Sequence, residues 1–326
     1  MRKWIKLLIT AAVIITALGA PCLVFITRPP ALLLIDTPIA TLYGTKRAKR
    51  QQTLASLALF RRVRPVEVAN GASPDIVSFA VSEAHARPFC VVFPQSYSQA
   101  AEYYHEQQPE IPVALLGGYA AALPSPDDFF YVYGSDRETD LYRAGLLAGI
   151  LSRRGRQLDE EDASLDASSL DAPALNIVLW HDRSIRKSQR EFFTRGAGET
   201  GPEYPVVFTG NASGMPDNEK VSCVVLAGAG GEYLDKNPHP PVILFAWLDP
   251  AITSREVMVI FDDSPWALAV PAVRLAAKKQ EAALIPSKTL IFSGKVADNG
   301  IFRSLKESVK KRPEIIDNVQ DALTNN

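Results

Sequence analysis

The feature that most constrains this chain is an alternation, sustained from residue 31 to residue 311, of short continuously apolar runs with segments of helical periodicity. Ala31 to Ile35 (ALLLI), Val63 to Ala69, Phe89 to Phe93, Pro112 to Leu116 and Phe129 to Tyr133 are predicted strands. Tyr43 to Arg62, Asp75 to Ala86, Tyr97 to Gln107 and Glu138 to Arg154 are predicted helices, the first with Leu54, Leu57, Ala58 and Phe60 on one apolar stripe. Strands that are apolar at every position are buried on both faces, as helix-covered parallel sheets require. The rhythm resumes with strands at Leu175 to Trp180, Tyr204 to Phe208, Ser222 to Leu226, Val242 to Trp247 and Val257 to Phe261, and a helix from Ser184 to Ala197. A short helix near Glu232 to Asn237, a long one from Pro265 to Ala283, a strand from Thr289 to Phe292 and a helix from Ile301 to Lys311 complete the pattern before a polar tail. The expected fold class is α/β, with two doubly wound lobes of mainly parallel strands around a central cleft.

The predicted organisation is a signal or anchor segment at 1–30, lobe 1 at 31–154, an acidic segment at 155–173, lobe 2 at 174–262, and a C-terminal segment, 263–326, that returns to lobe 1. The stretch Gly155 to Pro173 (GRQLDEEDASLDASSLDAP) holds six acidic residues and little to bury. It reads as a flexible linker or surface insertion, or alternatively as a solvated extension of the preceding helix.

Arg2, Lys3 and Lys6 precede an uncharged run from Leu7 to Ile26, which ends before Arg28, Pro29 and Pro30. Twenty helical residues span about 30 Å, the hydrocarbon thickness of a bilayer. The positive amino end keeps to the cytoplasm, so the main domain is expected in the cell envelope, tethered to the inner membrane and outside the cytoplasm. Three fates stay open: an uncleaved anchor, which the length favours; cleavage near Ala17-Leu18-Gly19; and lipidation at Cys22, whose preceding Gly19-Ala20-Pro21 departs from a lipobox at the proline.

With 35 Lys+Arg against 36 Asp+Glu, the chain lacks the basic field of a non-specific duplex binder, and no nucleic-acid partner is expected. Cys22, Cys90 and Cys223 are far apart, without a Cys-x-x-Cys or Cys/His cluster, so no metal is expected. Cys90 and Cys223 are predicted as buried strand residues. The run Gly228-Ala229-Gly230-Gly231-Glu232-Tyr233 has Tyr233 where a dinucleotide fingerprint needs its last glycine, and no phosphate-loop motif is present, so no cofactor is expected.

The segment Tyr142-Arg143-Ala144-Gly145-Leu146-Leu147-Ala148-Gly149 resembles the aromatic-x-Ala-Gly-x-Leu-Ala-Gly helix of the basic membrane protein family. That family comprises type I periplasmic binding proteins and includes purine nucleoside receptors of ABC importers. Asp36 ending the first strand, Phe192 and Gly196 in the first helix of lobe 2, and Val224 to Gly228 fit the same plan. Two departures stand out: Thr37-Pro38-Ile39-Ala40 follows Asp36 where the nucleoside receptors have Phe and Asn, and the acidic segment is extra. The resemblance implies a non-enzymatic solute-binding protein that closes two lobes around a small molecule, nucleoside-like, and works with an ABC permease.

Strand ends supply the candidate ligand-binding residues, because a polar solute needs a few fixed hydrogen-bonding groups and aromatic walls. Asp36, Asp182 and Asp249 follow apolar strands and are either acceptors for the solute or caps of the next helix. Trp180 and Trp247 are candidate stacking walls or core residues. Tyr43 and Tyr119 are their counterparts in lobe 1, while Gly117 and Gly228 allow close backbone approach or make tight turns. His181-Asp182-Arg183 is the densest polar trio at a predicted strand end, but neighbours on a strand point to opposite faces, which disfavours a catalytic pair. No catalytic residue is assigned. The alternative to transport is a binding fold without a ligand, acting as a membrane-anchored sensor or interaction domain.

Overall fold

The computed structural model describes residues 23–116, 128–162, 175–181, 185–217, 220–227, 242–245, 257–280, 282–292 and 320–322. The chain divides into two compact units, one of Met1–Leu116, Ala122–Tyr133 and Ala269–Ala283, the other of Gly117–Ala121, Gly134–Leu268 and Leu284–Asn326.

In the first unit, β1 (Ala31–Asp36) is buried at every position and pairs in parallel with β2 (Val63–Val68) on one side and β3 (Cys90–Pro94) on the other. β4 (Val113–Leu116) and β5 (Phe130–Ser135) extend the parallel sheet. With β11 (Ala282–Ile285) beyond β5, the sheet order β11-β5-β4-β3-β1-β2 contains the doubly wound sequence 2-1-3-4-5. Three helices cross between the strands: α1 (Thr37–Leu59), α2 (Pro74–Ala84) and α3 (Ser98–Gln107). The core joins Leu32, Leu34, Val91, Phe93 and Val113 of the strands with Val77, Val81, Ala101 and Tyr104 of the helices. α1 begins at Thr37, six residues before the predicted start, because Asp36 caps it and Pro38 suits a first turn; the helix is kinked at Gly44, whose φ of 61° lies in the left-handed region. Cys90 is buried within β3, and burial pushes its thiol up to about 12.

The second sheet repeats the plan. β6 (Asn176–His181) pairs in parallel with β7 (Val206–Thr209) and β8 (Val221–Ala227), followed by β9 (Val242–Phe245) and β10 (Val257–Asp262). Its order, β13-β12-β10-β9-β8-β6-β7, holds the same 2-1-3-4-5 sequence, with β12 (Lys288–Phe292) antiparallel to β10 and β13 (Gln320–Ala322) added at the edge. Cys223 is free and buried in β8. The fold class is therefore α/β with two mainly parallel, doubly wound sheets.

The helices α4 (Arg137–Asp162) and α5 (Lys187–Thr200) pack backbone against backbone. A Cβ at Gly145 would sit 2.2 Å from the Phe193 carbonyl oxygen, one at Gly149 2.2 Å from Thr200 Oγ1, and one at Gly196 2.2 Å from the Tyr142 carbonyl oxygen. Thr200 Oγ1 donates to the Leu146 carbonyl across this contact at 2.8 Å. The glycines of the Ala-Gly-x-Leu-Ala-Gly block thus have a packing role in this fold.

One open expectation is decided in part and one is corrected. α4 continues to Asp162, so the first part of the acidic segment is an extension of the preceding helix, the second of its two readings; residues 163–174 lie outside the described residues. The predicted helix from Pro265 to Ala283 ends at Ala277 as α6 (Pro265–Ala277), and Ala282–Ile285 forms β11 instead. Lys279 turns left-handed at φ 54°, and the Gln280 amide closes onto the Leu275 carbonyl, after which β5 offers a sheet neighbour. The predicted helices at Glu232 to Asn237 and Ile301 to Lys311 lie outside the described residues, as do residues 1–22 of the apolar N-terminal stretch. Among the described residues, no helix is long and apolar enough to cross a membrane.

Candidate functional site

Open doubly wound sheets bind ligands beyond the carboxyl ends of their strands, where the strand order reverses. That switch point falls between β1 and β3 in the first unit and between β6 and β8 in the second.

In the first unit, Asp36 ends β1 and is 8% exposed. Its Oδ1 accepts the Ile39 amide at 3.1 Å, satisfying one of the otherwise unpaired amides of the first turn of α1. Thr37 Oγ1 donates to the Val68 carbonyl at 3.5 Å, and the Tyr97 hydroxyl, from the 3-10 turn after β3, donates to the Ala69 carbonyl at 3.1 Å. Burial and then the nearby Asp36 charge raise the Tyr97 phenol above its ordinary pKa. This edge therefore gathers a carboxylate, a hydroxyl and a phenol, with Gln95 and Ser96 exposed beside them. Tyr97 escaped the sequence reading, although it follows an apolar strand just as Asp36 does. Tyr43 is 5% exposed, with the Arg47 guanidinium 4.8 Å from its ring centroid, so its ring is packed within the unit. Gly117 and Tyr119 lie outside the described residues.

In the second unit, Trp180 and His181 end β6. Trp180 is only 2% exposed and stands in register with Thr209 of β7 and Leu226 of β8, a core position within the sheet. His181 is also buried, its ring 6.4 Å from that of Phe208. Beyond β7, Thr209 Oγ1 donates to the Asn211 carbonyl at 2.7 Å, and Asn211 Oδ1 accepts from Ser213 Oγ at 2.9 Å and the Gly214 amide at 3.0 Å. Asn211 and Ser213 are exposed, so this turn presents the described polar groups of the second edge. Asp182, Gly228, Trp247 and Asp249 lie outside the described residues, as does the rest of the glycine run to Tyr233.

A second polar cluster lies deeper in the same unit. Asp140 of α4 is fully buried and accepts the Ser287 amide at 2.9 and 3.2 Å and the Ser287 hydroxyl. Burial pushes its carboxyl up to about 7; the Ser287 bonds oppose this, Asp263 adds to it and Arg143 opposes it. Asp263 is raised to about 6 by burial and by Asp262, against Arg137 and a 3.2 Å bond from Ser135 Oγ. Asp262 Oδ1 accepts the Ser264 amide at 2.9 Å. The cluster ties three sequence-distant segments of the second unit together. Asp262-Asp263 follow an apolar strand, which is the signal that would have found them. Asp140 had no such signal, since its partner Ser287 is 147 residues away. Among the described residues, no group of His, Cys, Asp or Glu is placed to hold a metal ion.

No protein-family profile matches the chain, and no curated protein matches it either. Solved structures do resemble it. An ABC transporter solute-binding protein from Conexibacter woesei is 11% identical, with a TM-score of 0.48 over 86% of this chain and 95% of its own. A periplasmic solute-binding protein from Actinobacillus succinogenes with bound D-allose is 12% identical, with a TM-score of 0.45 over 84% of this chain and 99% of its own. A transcriptional activator of the comK gene from Bacillus halodurans is 13% identical, with a TM-score of 0.49 over 88% and 97%. Transport and transcription proteins both appear at this level, so the functional reading rests on the chain's own sheets and their edges.

Proposed function

We propose that this chain is an extracytoplasmic solute-binding protein, tethered to the inner membrane by its N-terminal segment, that takes up a small polar solute for an ABC-type importer. The observation that carries the reading is the twofold occurrence of the 2-1-3-4-5 strand order with polar side chains beyond the carboxyl ends, Asp36 and Tyr97 at the switch point of the first sheet and Asn211 and Ser213 after β7 of the second. Each edge by itself offers hydrogen-bonding groups suited to hydroxyls and amines, Asp36 and Tyr97 in the first unit and Asn211 and Ser213 in the second. A nucleoside-like solute is the specific class favoured by the resemblance of the Tyr142 to Gly149 block, with Asp249 and Trp247 as further contacts.

Thermal unfolding of the 326-residue chain in detergent against nucleosides, sugars and amino acids tests this directly. A solute at about 100 times its dissociation constant stabilises the folded state by roughly 2.7 kcal/mol, a rise of a few degrees.

A second reading has an observation of its own. Asp36, Tyr43 and Trp180, the described candidates from the sequence, are 8%, 5% and 2% exposed, and Asp36 is engaged as a helix cap. That favours a binding fold serving as an envelope sensor or interaction domain. Cooperative unfolding with no response to any solute would select it.

A further inference from the structure

We propose that the start of the described chain, the second half of α1 and the turn that follows it form a docking face for an anionic lipid bilayer. The proposal rests on the membrane-tethered placement above and assigns a separate surface to it.

Past the end of the uncharged run, the surface stays apolar: Leu57 of α1 is 66% exposed, with Leu54 and Phe60 also open to solvent. Phe25 meets Phe60 with ring centroids 5.9 Å apart, which joins the helical stretch at 23–27 to the end of α1. Lys46, Arg50, Leu54 and Leu57 follow one another at helical spacing on α1, so the apolar stripe runs into a cationic one. A groove of about 410 Å³ opens here, lined by Phe25, Ser56, Leu57, Arg62 and Arg64 among others. Apolar and guanidinium groups share its wall, the pairing that a phospholipid's acyl region and phosphate require. The Arg28 guanidinium lies 5.3 Å from the Phe60 ring centroid, which holds positive charge over the apolar surface.

Charge and connectivity select the bilayer over other occupants. From residue 23 to residue 66 the chain holds eight basic residues and a single acidic one, Asp36; beyond residue 66 acidic residues outnumber basic ones, 35 to 24. A second copy would bring the same positive face against itself, whereas an anionic surface complements it. The face also continues directly from the uncharged run Leu7 to Ile26, so a bilayer that takes up this run lies within a few residues of Arg28 and Phe60.

The test uses the 326-residue chain reconstituted in nanodiscs of phosphatidylcholine alone or mixed with phosphatidylglycerol, with hydrogen exchange followed for residues 50–64. Exchange roughly tenfold slower in the anionic discs is expected, lost at high salt and in the double variant Arg50→Glu/Arg64→Glu, whose positions are both exposed. Equal exchange in both lipids while the chain stays with the discs overturns the docking face and leaves the anchor standing. Protection that depends on two copies per disc and not on lipid charge assigns the face to self-association and overturns the proposal. A chain that separates from the discs overturns face and anchor together. Solute binding is judged independently by the unfolding screen.

Discussion

The two units share a strand order and differ in what secures their architecture. In the first, the carboxyl edge is held by a local cap and by single bonds between strand ends: Asp36 caps the helix that begins one residue later, Thr37 bonds to Val68 and Tyr97 to Ala69. In the second, cohesion is long-range: Asp140 is bonded to Ser287, and Gly145, Gly149 and Gly196 bring two helices into backbone contact across the α4–α5 interface. One topology is thus held at its edge by a cap and single bonds in one copy, and by a buried polar cluster and a close helix contact in the other. Local contacts survive small changes at modest cost, while a buried polar cluster or a helix contact without room for a methyl does not.

The largest expected effect is at that helix contact. Gly145→Ala places a methyl against the Phe193 carbonyl and lowers stability by about 3 kcal/mol, because backbone must move; Gly198→Ala, on the same helix as Gly196 with open space at its Cβ, is the control and raises the urea midpoint slightly, since Ala favours the helix over Gly. Equal midpoints for both variants would remove the backbone contact from the comparison.

Next is the buried acid pair. Asp140 and Asp263 have folded pKa values raised to about 7 and 6, so the folded state holds protons that the unfolded state has released above pH 4 or so. Their contribution is fully present below the unfolded pKa and is lost as pH rises through 6 and 7. Melting temperatures should therefore fall between pH 5 and pH 8, and Asp140→Asn should flatten that fall by an amount on the order of a few kcal/mol. A steeper fall in the variant would reverse the assignment.

At the first edge the changes are smaller. Asp36→Ala removes the cap of α1 and costs about 1 kcal/mol, while Asp36→Ser restores most of it, read by chemical denaturation. If serine fails to rescue, the carboxylate has a role beyond capping, as solute binding requires. The smallest effect belongs to Tyr97→Phe, which deletes the bond to the Ala69 carbonyl and costs roughly 1 kcal/mol or less. A larger loss of solute affinity than of stability in this variant would place the phenol in the binding edge.

Much of the fold was legible because its signals are local. Runs such as Ala31 to Ile35 and Val224 to Leu226 can be buried on both faces only in a covered parallel sheet, and those elements form as the pattern required. The failures are equally physical. The helix predicted from Pro265 continues to Ala283, yet a left-handed turn at Lys279 and a place beside β5 put Ala282 and Ala283 at the start of a strand. The site was less legible. Trp180 reads equally as a stacking wall or a core residue and is buried, since the face of a strand-end side chain depends on what covers the sheet; Tyr97 was passed over because it opens the predicted helix from Tyr97 to Gln107.

The sequence by itself determined the α/β class, the doubled strand-and-helix rhythm, the uncharged run from Leu7 to Ile26 and the concentration of positive charge near the start of the described chain. These follow from periodicity and charge order, which one residue and its near neighbours specify. Only the tertiary structure decided that Asp36 spends a carboxylate oxygen on a helix cap, that the glycine block is a helix contact, and that Asp140 meets Ser287 across 147 residues. Each depends on which distant backbone arrives alongside, and burial, which sets both packing and proton affinity, is a property of that arrival.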